Sequence, residues 1–530
     1  VSNAGGLNPC ACAAALRELI SAAGLSLKVA VVEGDDVTAR LPDWRSAGIK
    51  GLEHDAPLPA EPLSANAYLG AFPIAAALES GADIVVTGRC VDSAVTLGPL
   101  IHAFDWRPQD FDRLAAGSLA GHLLECACQL TGGLHTDWQD VPDWPNIGYP
   151  ILEVQSDGTF VVGKPPGTGG VIRRAAVAEQ LLYEIGDPSA YLLPDVVCDF
   201  RDVRIEQVGS ERVRVSGAKG RAPGRQLKVS LTWQDGWRCA GTLVIIGIDA
   251  VAKARRTGEA VLARTARMIR DAGWPGYSAT RIEVIGAETI YGPHSRAAAA
   301  REVMLRVIAE HPRQEPLELF AREIAPAGTS WAPGTTSPGG GRPPVSPVIR
   351  HLAMLCDRTA VPVTVTLDGE PVPVPSLPLQ ALDDATRRTG PSRGGVRHGE
   401  AVAASAPPAS GPPVTVPLVR LAWARSGDKG DSVNVGVIAR EPQYLPVLLE
   451  QLTETAVAAY FAHLVRGPVR RYLLPGIGAM NFVLDEALDG VGTSSMRMDP
   501  LGKGFAQMLL DFEIRIAAGL LDSAAPSEQR

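Results

Sequence analysis

The sequence predicts an α/β protein in which a large mixed α/β domain with a parallel-sheet core precedes a small α+β domain. Two valine-rich runs, residues 27–33 and 82–87, each follow a helical pattern and a glycine, which is typical of strands in a parallel sheet. Residues 404–413 read ASAPPASGPP, a composition typical of flexible linkers. The 530 residues also exceed what a single hydrophobic core usually serves.

The N-terminal part begins with two helix–strand units. Helical patterns over residues 10–23 and 68–80 precede the two valine-rich strands, and Gly24 and Gly81 stand where each helix turns into its strand. We assign residues 1–370 to the large domain, with two subdomains, 1–145 and 146–370, as an alternative. The chain starts inside a motif and without Met, so we expect residues to be missing upstream.

After residue 145, turn signals separate the apolar runs, which predicts an antiparallel or mixed sheet. Asp-Gly pairs favour tight turns, so two hairpins are expected, followed by two amphipathic helices. The predicted elements are a hairpin over 148–162, a second hairpin with strands 226–233 and 239–248 around Asp235 and Gly236, and helices over 257–271 and 296–309.

The C-terminal part divides into a linker and a small domain. Residues 371–415 predict a flexible linker because Pro, Gly, Ser and Ala dominate, and we expect 385–413 to be disordered and open to proteases. Residues 416–520 form a β-β-α-β unit that suits a ferredoxin-like α+β domain. Its predicted elements are strands over 416–424, 432–439, 478–484 and 507–516, and helices starting at 446 and covering 453–465.

Composition limits the classes of function. The net charge of −8 is spread along the chain without a basic run, and no stretch of about 18 apolar residues occurs. We therefore expect neither nucleic acid nor a membrane as a partner. The eight cysteines include two C-x-C pairs, Cys10/Cys12 and Cys126/Cys128, which lack the spacing of zinc sites. We predict no metal site and, lacking a secretion signal or disulfide framework, a cytoplasmic location.

Two glycine-containing motifs lie at helix or strand ends. Asn3, Gly5, Gly6 and Asn8 precede the first helix, where free N–H groups attract anions. The alternative is a simple turn with Asn8 as the N-cap and Pro9 at the first helical position.

The second motif follows the strand over 82–87. Thr87, Gly88, Arg89 and Asp92 stand beyond its carboxyl end, where open α/β sheets bind ligands. Arg89 is a candidate anion clamp and Asp92 a candidate base. The alternative is that Asp92 caps the next helix and pairs with Arg89.

Candidate acid–base groups occur in the segment after this. His122 and Glu125 share a helix face at a spacing of three, and His135 follows in a glycine-rich loop. They are also consistent with polar positions on a helix surface and in a loop.

A third glycine-rich segment, residues 164–170, is a candidate anion nest. The alternative is a wide turn. We predict that it lines one cleft with Asn3, Gly5, Gly6, Arg89 and Asp92. Its candidate ligand-binding residues are Lys164, Gly167, Thr168, Gly169 and Gly170.

Residues 425–431 carry more charge than a turn requires. We predict that this segment docks onto the large domain and helps to close the cleft, with Arg425 and Lys429 as anion contacts. The alternative is a solvated turn. The candidate residues are Arg425, Ser426, Asp428, Lys429 and Asp431.

These segments together resemble the acyclic terpene utilisation protein family known as AtuA. The resemblance extends over nearly the whole chain. It rests on NAGGLNP (3–9), VVTGRCVDSA (85–94), GHLLECACQLTGG (121–133), GYPILEV (148–154), KPPGTGG (164–170), QLLYEIGDPSAYLLPDV (180–196), IYGPHSR (290–296), AGTSWAPGTT (327–336) and ARSGDKGD (424–431). It implies a role in breaking down acyclic terpenoid or branched-chain acids as coenzyme A thioesters, and a C-terminal domain that occurs as a separate chain in relatives.

Two functions remain open from the sequence. The first is an enzyme acting on an acyl-CoA or related carboxylate, as a hydratase or lyase, with Asp92, Glu125 or His135 moving protons. Its partner is a small-molecule acyl substrate that can carry coenzyme A, and we expect a homo-oligomer. The sequence identifies no cofactor, and no G-x-G-x-x-G follows a strand as NAD binding would need. The second is a non-catalytic binding or assembly subunit. A serine hydrolase is not favoured, because the G-x-S-x-G match at 390–394 lies in the predicted linker.

Overall fold

The computed structural model describes residues 1–3, 8–380 and 411–522. Gly5 and Gly6, the G-x-S-x-G match and all but the last three residues of the segment 385–413 lie outside the described residues. The next two paragraphs give the bounds of the helices and of the strands within the described part.

The helices have the following bounds. They are α1 (Pro9–Ala22), α2 (Leu41–Ser46), α3 (Phe72–Glu79), α4 (Ala94–Phe104), α5 (Phe111–Glu125), α6 (Arg174–Leu182), α7 (Ala250–Asp271), α8 (Glu315–Glu323), α9 (Ala327–Ser330), α10 (Leu445–Gln451), α11 (Glu454–Tyr460), α12 (Phe505–Leu509) and α13 (Ala518–Asp522).

The strands have the following bounds. They are β1 (Val29–Glu33), β2 (Ser64–Ala67), β3 (Ile84–Thr87), β4 (Ile151–Val154), β5 (Phe160–Gly163), β6 (Tyr191–Leu192), β7 (Val197–Asp199), β8 (Arg204–Gly209), β9 (Arg212–Ser216), β10 (Lys219–Arg221), β11 (Gln226–Ile246), β12 (Ala279–Ile285), β13 (Glu302–His311), β14 (Thr335–Thr336), β15 (Val345–Asp357), β16 (Thr364–Leu367), β17 (Glu370–Pro371), β18 (Pro413–Pro417), β19 (Ala422–Lys429), β20 (Ser432–Ala439), β21 (Val469–Leu474), β22 (Ala479–Leu484) and β23 (Glu513–Ala517).

The predicted parallel pair is confirmed. β1 and β3 run parallel, with Val29 beside Ile84 and Val32 beside Thr87. On its other side β1 pairs with the antiparallel β16, so the sheet order is β17-β16-β1-β3. The parallel core is therefore smaller than predicted, because the other named strands of the described residues pair antiparallel. The hairpin predicted over 148–162 is confirmed as β4 and β5.

The second predicted hairpin is wrong, because residues 226–246 form one strand, β11, of 21 residues. Its register against β15 shifts between Gln234 and Trp237, and Gly236 has a φ of 78°. The Asp-Gly pair therefore makes a β-bulge and not a chain reversal. The antiparallel β15, 13 residues long, pairs on both sides of the bulge and stabilises the continuous strand.

The helix predicted over 296–309 is also wrong, since Glu302–His311 is strand β13. β13 lies between β11 and β12 and pairs with both. Val303, Leu305 and Val307 alternate into a core under α7, which favours the pleated conformation.

The C-terminal part contains an antiparallel sheet of order β19-β20-β22-β21 and a separate pair, β18 and β23. The predicted strand over 432–439 is confirmed as β20. The strand predicted over 416–424 is divided at residues 418–420, where buried Leu418 anchors a short turn. The strand predicted over 507–516 is divided in the same way, since its first residues belong to α12. β21 was not predicted.

The two parts of the chain share a hydrophobic core. Ile438, Leu474 and Ile477 of the C-terminal part belong to the same buried cluster as Leu182 and Phe200 of the N-terminal part. The beginning of the predicted linker also contacts the large domain. Val372, Val374 and Leu377 pack against that core, and the backbone N–H of Gln380 donates to the carbonyl of Pro223.

No helix of the described residues has the length and apolar character needed to cross a membrane.

Candidate functional site

Charged and titratable side chains converge where the hairpin β19–β20 meets the large domain. They come from the segment after β3, the end of α5, the segment after α6, β6 and the end of β19. We name this group the polar cluster. Its members are Asp92, His122, Glu125, Glu184, Tyr191, Asp428 and Lys429.

Lys429 is the central cation of the polar cluster. Part of the Lys429 side chain is exposed to solvent, while protein atoms lie on its other sides. Its ammonium lies 5.6 Å from the ring centre of Tyr191. Burial alone would lower the pKa of Lys429, but the charges of Tyr191, Glu184, Asp92 and Asp428 outweigh it and raise the pKa. Lys429 therefore stays charged at neutral pH.

Glu184 is the carboxyl whose protonation changes near neutral pH. Burial raises its pKa to about 7, with the negative charges of Asp428, Glu125 and Asp92 adding to the shift and Lys429 opposing it. Lys503 lies 3.5 Å from Oε1. A carboxyl with this pKa is able both to accept and to release a proton under physiological conditions.

His122 and Tyr191 form an uncharged wall of the polar cluster. Burial, together with the nearby Lys429, lowers the pKa of His122 to about 4, so the ring is neutral. Its Nε2 lies 3.1 and 3.2 Å from the carbonyl oxygens of Gln180 and Leu181, so it must carry the proton. Burial raises the pKa of Tyr191, which therefore keeps its hydroxyl proton.

Two buried asparagines hold the backbone around Glu184. Asn434 on β20 accepts a hydrogen bond from the N–H of Glu184 at 2.9 Å and donates to the carbonyl of Leu182 at 2.6 Å. Asn481 on β22 donates to the carbonyls of Ile185 and Gly186. The C-terminal sheet thus fixes the position of a segment that belongs to the large domain.

The carboxyl ends of β1 and β3 border the polar cluster. The carboxylate of Asp35 accepts from the N–H of Arg89 at 2.7 Å and from the side chain of Asn66 at 2.9 Å. Gly88 leaves room for this carboxylate, because a Cβ there would overlap it. Arg89 in turn pairs with Asp92 at 2.9 Å. Arg89 and Asp92 lie beyond the carboxyl end of β3 and pair with each other, as the alternative interpretation expected. Ligand binding by these two residues stays a prediction.

The other candidates near these strand ends have internal partners or lie beside the strand. Ser2 pairs in parallel with Val86, which places Asn3 beside the end of β3. The Thr87 hydroxyl donates to the carbonyl of Gly88. Asn8 accepts from the N–H of Ala11 as the N-cap of α1, so the alternative reading as a cap applies to it.

His135 lies in a different buried group. Its Nδ1 is 3.0 Å from Glu179, and both side chains are almost completely buried. Arg425 lies 3.6 Å from the same carboxylate and donates to the carbonyl of Gly133. Arg425 therefore joins the C-terminal part to Glu179 and Gly133 of the large domain. Glu125 remains in the polar cluster, where its carboxylate accepts from Cys126 at 2.7 Å.

The residues of 425–431 divide by role. Residues 422–429 belong to β19, so the turn itself is shorter than expected. Ser426 accepts from the N–H of Ala506, and Asp431 accepts from the N–H groups of Leu488 and Gly490. Asp428 and Lys429 are members of the polar cluster. Arg425 meets the large domain, whereas Ser426 and Asp431 shape the C-terminal part.

The hydrogen bonds and ion pair of the segment 164–170 are made within the segment and to residues outside the polar cluster. The ammonium of Lys164 donates to the carbonyl of Thr168 at 2.8 Å and lies 3.4 Å from Glu211. The Thr168 hydroxyl donates to the carbonyl of Pro165, and Gly169 packs against the backbone of Asp143. Gly167 and Gly170 have φ values of 75° and 83°, so they serve the turn.

Sequence reasoning missed Glu184 and Tyr191. Both lie in the family-like segment 180–196, but the pKa of Glu184 is raised by burial and by carboxylates that are more than 50 positions away in the sequence. The backbone of Glu184 is left-handed, with a φ of 56°, a conformation that a glutamate in the sequence does not predict.

Among residues 1–3, 8–380 and 411–522, no group of three or more His, Cys, Asp or Glu is arranged to hold a metal ion. A surface depression is lined by Arg173, Gln207 and Glu211, and no residue of the polar cluster lines it.

Comparison with protein families covers most of the chain. Residues 1–367 match the model described as acyclic terpene utilisation family protein AtuA, and residues 416–515 match the AtuA ferredoxin-like domain. No curated protein and no solved structure matches the chain. Both matched segments contribute to the polar cluster. The chain belongs to the acyclic terpene utilisation family AtuA, and it carries that family's ferredoxin-like domain at its C-terminal end.

Proposed function

We propose that this chain is an enzyme that moves a proton next to the carbonyl group of an acyclic, branched carboxylic acid or its coenzyme A thioester, as a hydratase or lyase does. The observation that carries the proposal is the meeting of Glu184 and Lys429, one from each matched segment. Family membership supports the substrate class, because the family serves acyclic terpene utilisation.

The chemistry assigns different tasks to these groups. Removing a proton beside a carbonyl needs a base whose pKa lies near the working pH, and Glu184, at about 7, meets this requirement. Negative charge then develops on the carbonyl oxygen. Lys429, which stays cationic, and the protonated hydroxyl of Tyr191 are suited to stabilise it.

Asp92 and Glu125 act through their charge in this proposal. Asp92 is engaged with Arg89, and Glu125 accepts from Cys126. Both carboxylates raise the pKa of Glu184. They therefore add to the effect of burial, which brings the pKa of Glu184 close to neutral pH and makes it a stronger base. Neither carboxylate is needed as the group that takes the proton.

Exchange of substrate protons for deuterium tests the proposal without knowledge of the complete reaction. The chain is incubated in D2O with a panel of acyclic terpenoid and branched-chain acids, as free acids and as coenzyme A thioesters. Deuterium gained beside the carbonyl is measured by mass spectrometry. We expect Glu184→Gln to slow exchange by at least about 100-fold, the usual contribution of a general base.

The matched control is Glu206→Gln, because Glu206 is an exposed carboxylate with only a loose partner, Arg214 at 3.9 Å. We expect it to exchange at the wild-type rate. Exchange by Glu184→Gln at the wild-type rate would overturn the assignment of the base. Failure of the wild-type chain to exchange any member of the panel would overturn the enzyme proposal.

A second function, that of a binding or assembly subunit, is favoured by one observation. Trp138 and Trp144 are 53% and 56% exposed, with ring centres 5.9 Å apart. Paired exposed tryptophans are common where proteins contact each other. If the wild-type chain binds members of the panel but exchanges no proton, the binding-subunit function is the better description.

A further inference from the structure

We propose that Arg89, Lys228 and the ring of Tyr68 form a binding site for a phosphoryl group, adjoining the polar cluster. This inference rests on the proposed function and deepens it, because it assigns a phosphate-bearing substrate to the site. The phosphoryl group has two candidate sources, the coenzyme A part of a thioester and free inorganic phosphate.

Two cations share one aromatic ring at this place. The guanidinium of Arg89 lies 4.5 Å from the ring centre of Tyr68, and the ammonium of Lys228 lies 5.4 Å from it. Both distances are within the range of cation–π contacts. The ring of Tyr68 therefore contacts two positive side chains, one from β11 and one from the segment after β3.

The positive charges at this point are incompletely neutralised. Arg89 has one carboxylate partner, Asp92, and its buried Nε has no hydrogen-bond partner among the described residues. Burial and the charges of Lys429 and Arg89 lower the pKa of Lys228, against the opposing influence of Glu53 and Asp92. Like charges gathered in this way repel each other and are stabilised when an anion binds.

A row of hydrogen-bonding groups continues from Lys228 along the same face of β11. Lys228, Ser230 and Thr232 alternate with buried apolar residues, so they point to one side of the sheet. Ser230 Oγ lies 2.6 Å from Nε2 of His351, whose buried Nδ1 has no partner among the described residues. The hydroxyl of Thr232 contacts that of Ser64 at 2.7 Å, so the Ser230 hydroxyl, two residues from Lys228, is the polar group of this row closest to the cations in sequence.

A phosphoryl group fits these features better than a carboxylate does. A carboxylate carries one charge on two oxygens, which one arginine can satisfy. A phosphate monoester carries up to two charges on three oxygens. Two cations, with the Ser230 hydroxyl on the same face of β11 as Lys228, match the larger number of oxygens.

The site connects electrostatically to the proton-transfer groups. The charge of Asp92 raises the pKa of both Arg89 and Glu184. The charge of Lys429 lowers the pKa of both Lys228 and Glu184. In this proposal, a substrate with a phosphate at one end and a carbonyl at the other contacts both sites. The proton-transfer groups alone do not require the phosphate.

Isothermal titration calorimetry with coenzyme A, pyrophosphate and inorganic phosphate tests the site in the full chain. None of the three probes carries an acyl group, so no reaction is needed. We expect coenzyme A to bind, and Lys228→Met, which keeps the aliphatic stem, to weaken binding at least 10-fold. Lys228→Arg should restore most of the affinity. Lys219→Met is the control, since Lys219 is an exposed lysine on a surface pair.

The outcomes separate this inference from the proposed function. Binding of coenzyme A that depends on Lys228 supports the site with the thioester as its source, and phosphate binding alone with the same dependence supports free phosphate. Equal affinity in the wild type and in Lys228→Met, or no binding of any probe, overturns the inference. Deuterium exchange with free acids, which carry no phosphate, still decides the role of Glu184.

Discussion

Glu184 shows how a single side chain gains its chemistry from its surroundings. The residue has a left-handed backbone just after α6, and its N–H is held by Asn434 from the other matched segment. The carboxyl then lies among Lys429, Asp428, Glu125 and other charges that no short motif contains. Its near-neutral pKa is therefore a property of the assembled site.

The pH dependence of proton exchange follows from the state of Glu184. The carboxylate form is the base, and burial raises its pKa to about 7. We expect the exchange rate to increase as pH rises through about 7 and to level off above it, because protonation removes the base below that value. The measurement is the exchange rate between about pH 5 and pH 9.

Glu184→Gln should lose the inflection near pH 7 along with most of the rate. The stability effect has the opposite sign. Because the folded pKa of Glu184 is raised, the native state binds this proton more tightly than the unfolded state, and this contribution to stability is lost as pH rises toward about 7. An inflection that persists in Glu184→Gln would contradict the assignment.

Sequence reasoning identified part of the site at this scale. Arg89, Asp92, Asp428 and Lys429 stand in dense polar motifs, and the structure places them at or beside the polar cluster. His135 was expected to act on protons, but its partner Glu179 is 44 residues away on α6 and holds it in a buried contact within the large domain. Because the two partners are so far apart in the sequence, no local spacing pattern predicts their contact.

At the scale of elements, short-range sequence patterns predicted the correct structure where the signal, such as a turn or a glycine at a helix end, lies next to the element. The hairpin β4–β5 and the parallel pair β1–β3 were predicted because their signals lie inside a few residues. β11 and β13 were misread because their partners decide their conformation. β15 continues past the Asp-Gly bulge, and β13 is enclosed between two strands.

Close contact between α6 and β20 depends on a residue without a side chain. A Cβ at Gly436 would lie 2.5 Å from Cβ of Leu182. We expect Gly436→Ala to lower the free energy of unfolding by about 1–3 kcal/mol, the usual cost of overpacking a core. It should also displace the backbone near Glu184 and reduce proton exchange.

Urea unfolding and the deuterium-exchange assay measure the two effects of Gly436→Ala. Gly163→Ala is the control, because Gly163 is a strand glycine whose Cβ would meet only an atom 3.9 Å away. It should leave both measurements close to wild type. A Gly436→Ala variant that behaves like the control would show that the contact tolerates a methyl group.

At the scale of the whole molecule, the two matched segments are joined by polar as well as apolar contacts. Glu179 is fully buried between His135 and Arg425, and burial lowers the pKa of Arg425 while Glu179 opposes this shift. Asp137 accepts two hydrogen bonds from Arg440 and one from Trp423. The predicted docking of the charged segment agrees with these contacts at Arg425.

Removing the charge of Glu179 tests how strongly this junction depends on it. Glu179→Gln keeps the shape of the side chain but leaves Arg425 buried without its counter-charge. We expect the free energy of unfolding to fall by about 3–5 kcal/mol. Urea unfolding measures it, with exposed Glu206→Gln expected to change by no more than about 1 kcal/mol. A loss as small as that of the control would contradict the prediction.

The division of the proton-transfer groups between two segments has a consequence for chains cut between residues 380 and 411. Glu184 would stay on one piece and Lys429 on the other. Under the proposed function, neither piece alone would hold a complete site. Turnover would then follow the concentration of the reassembled pair, and the rate would report complementation between fragments as an enzymatic signal of their association.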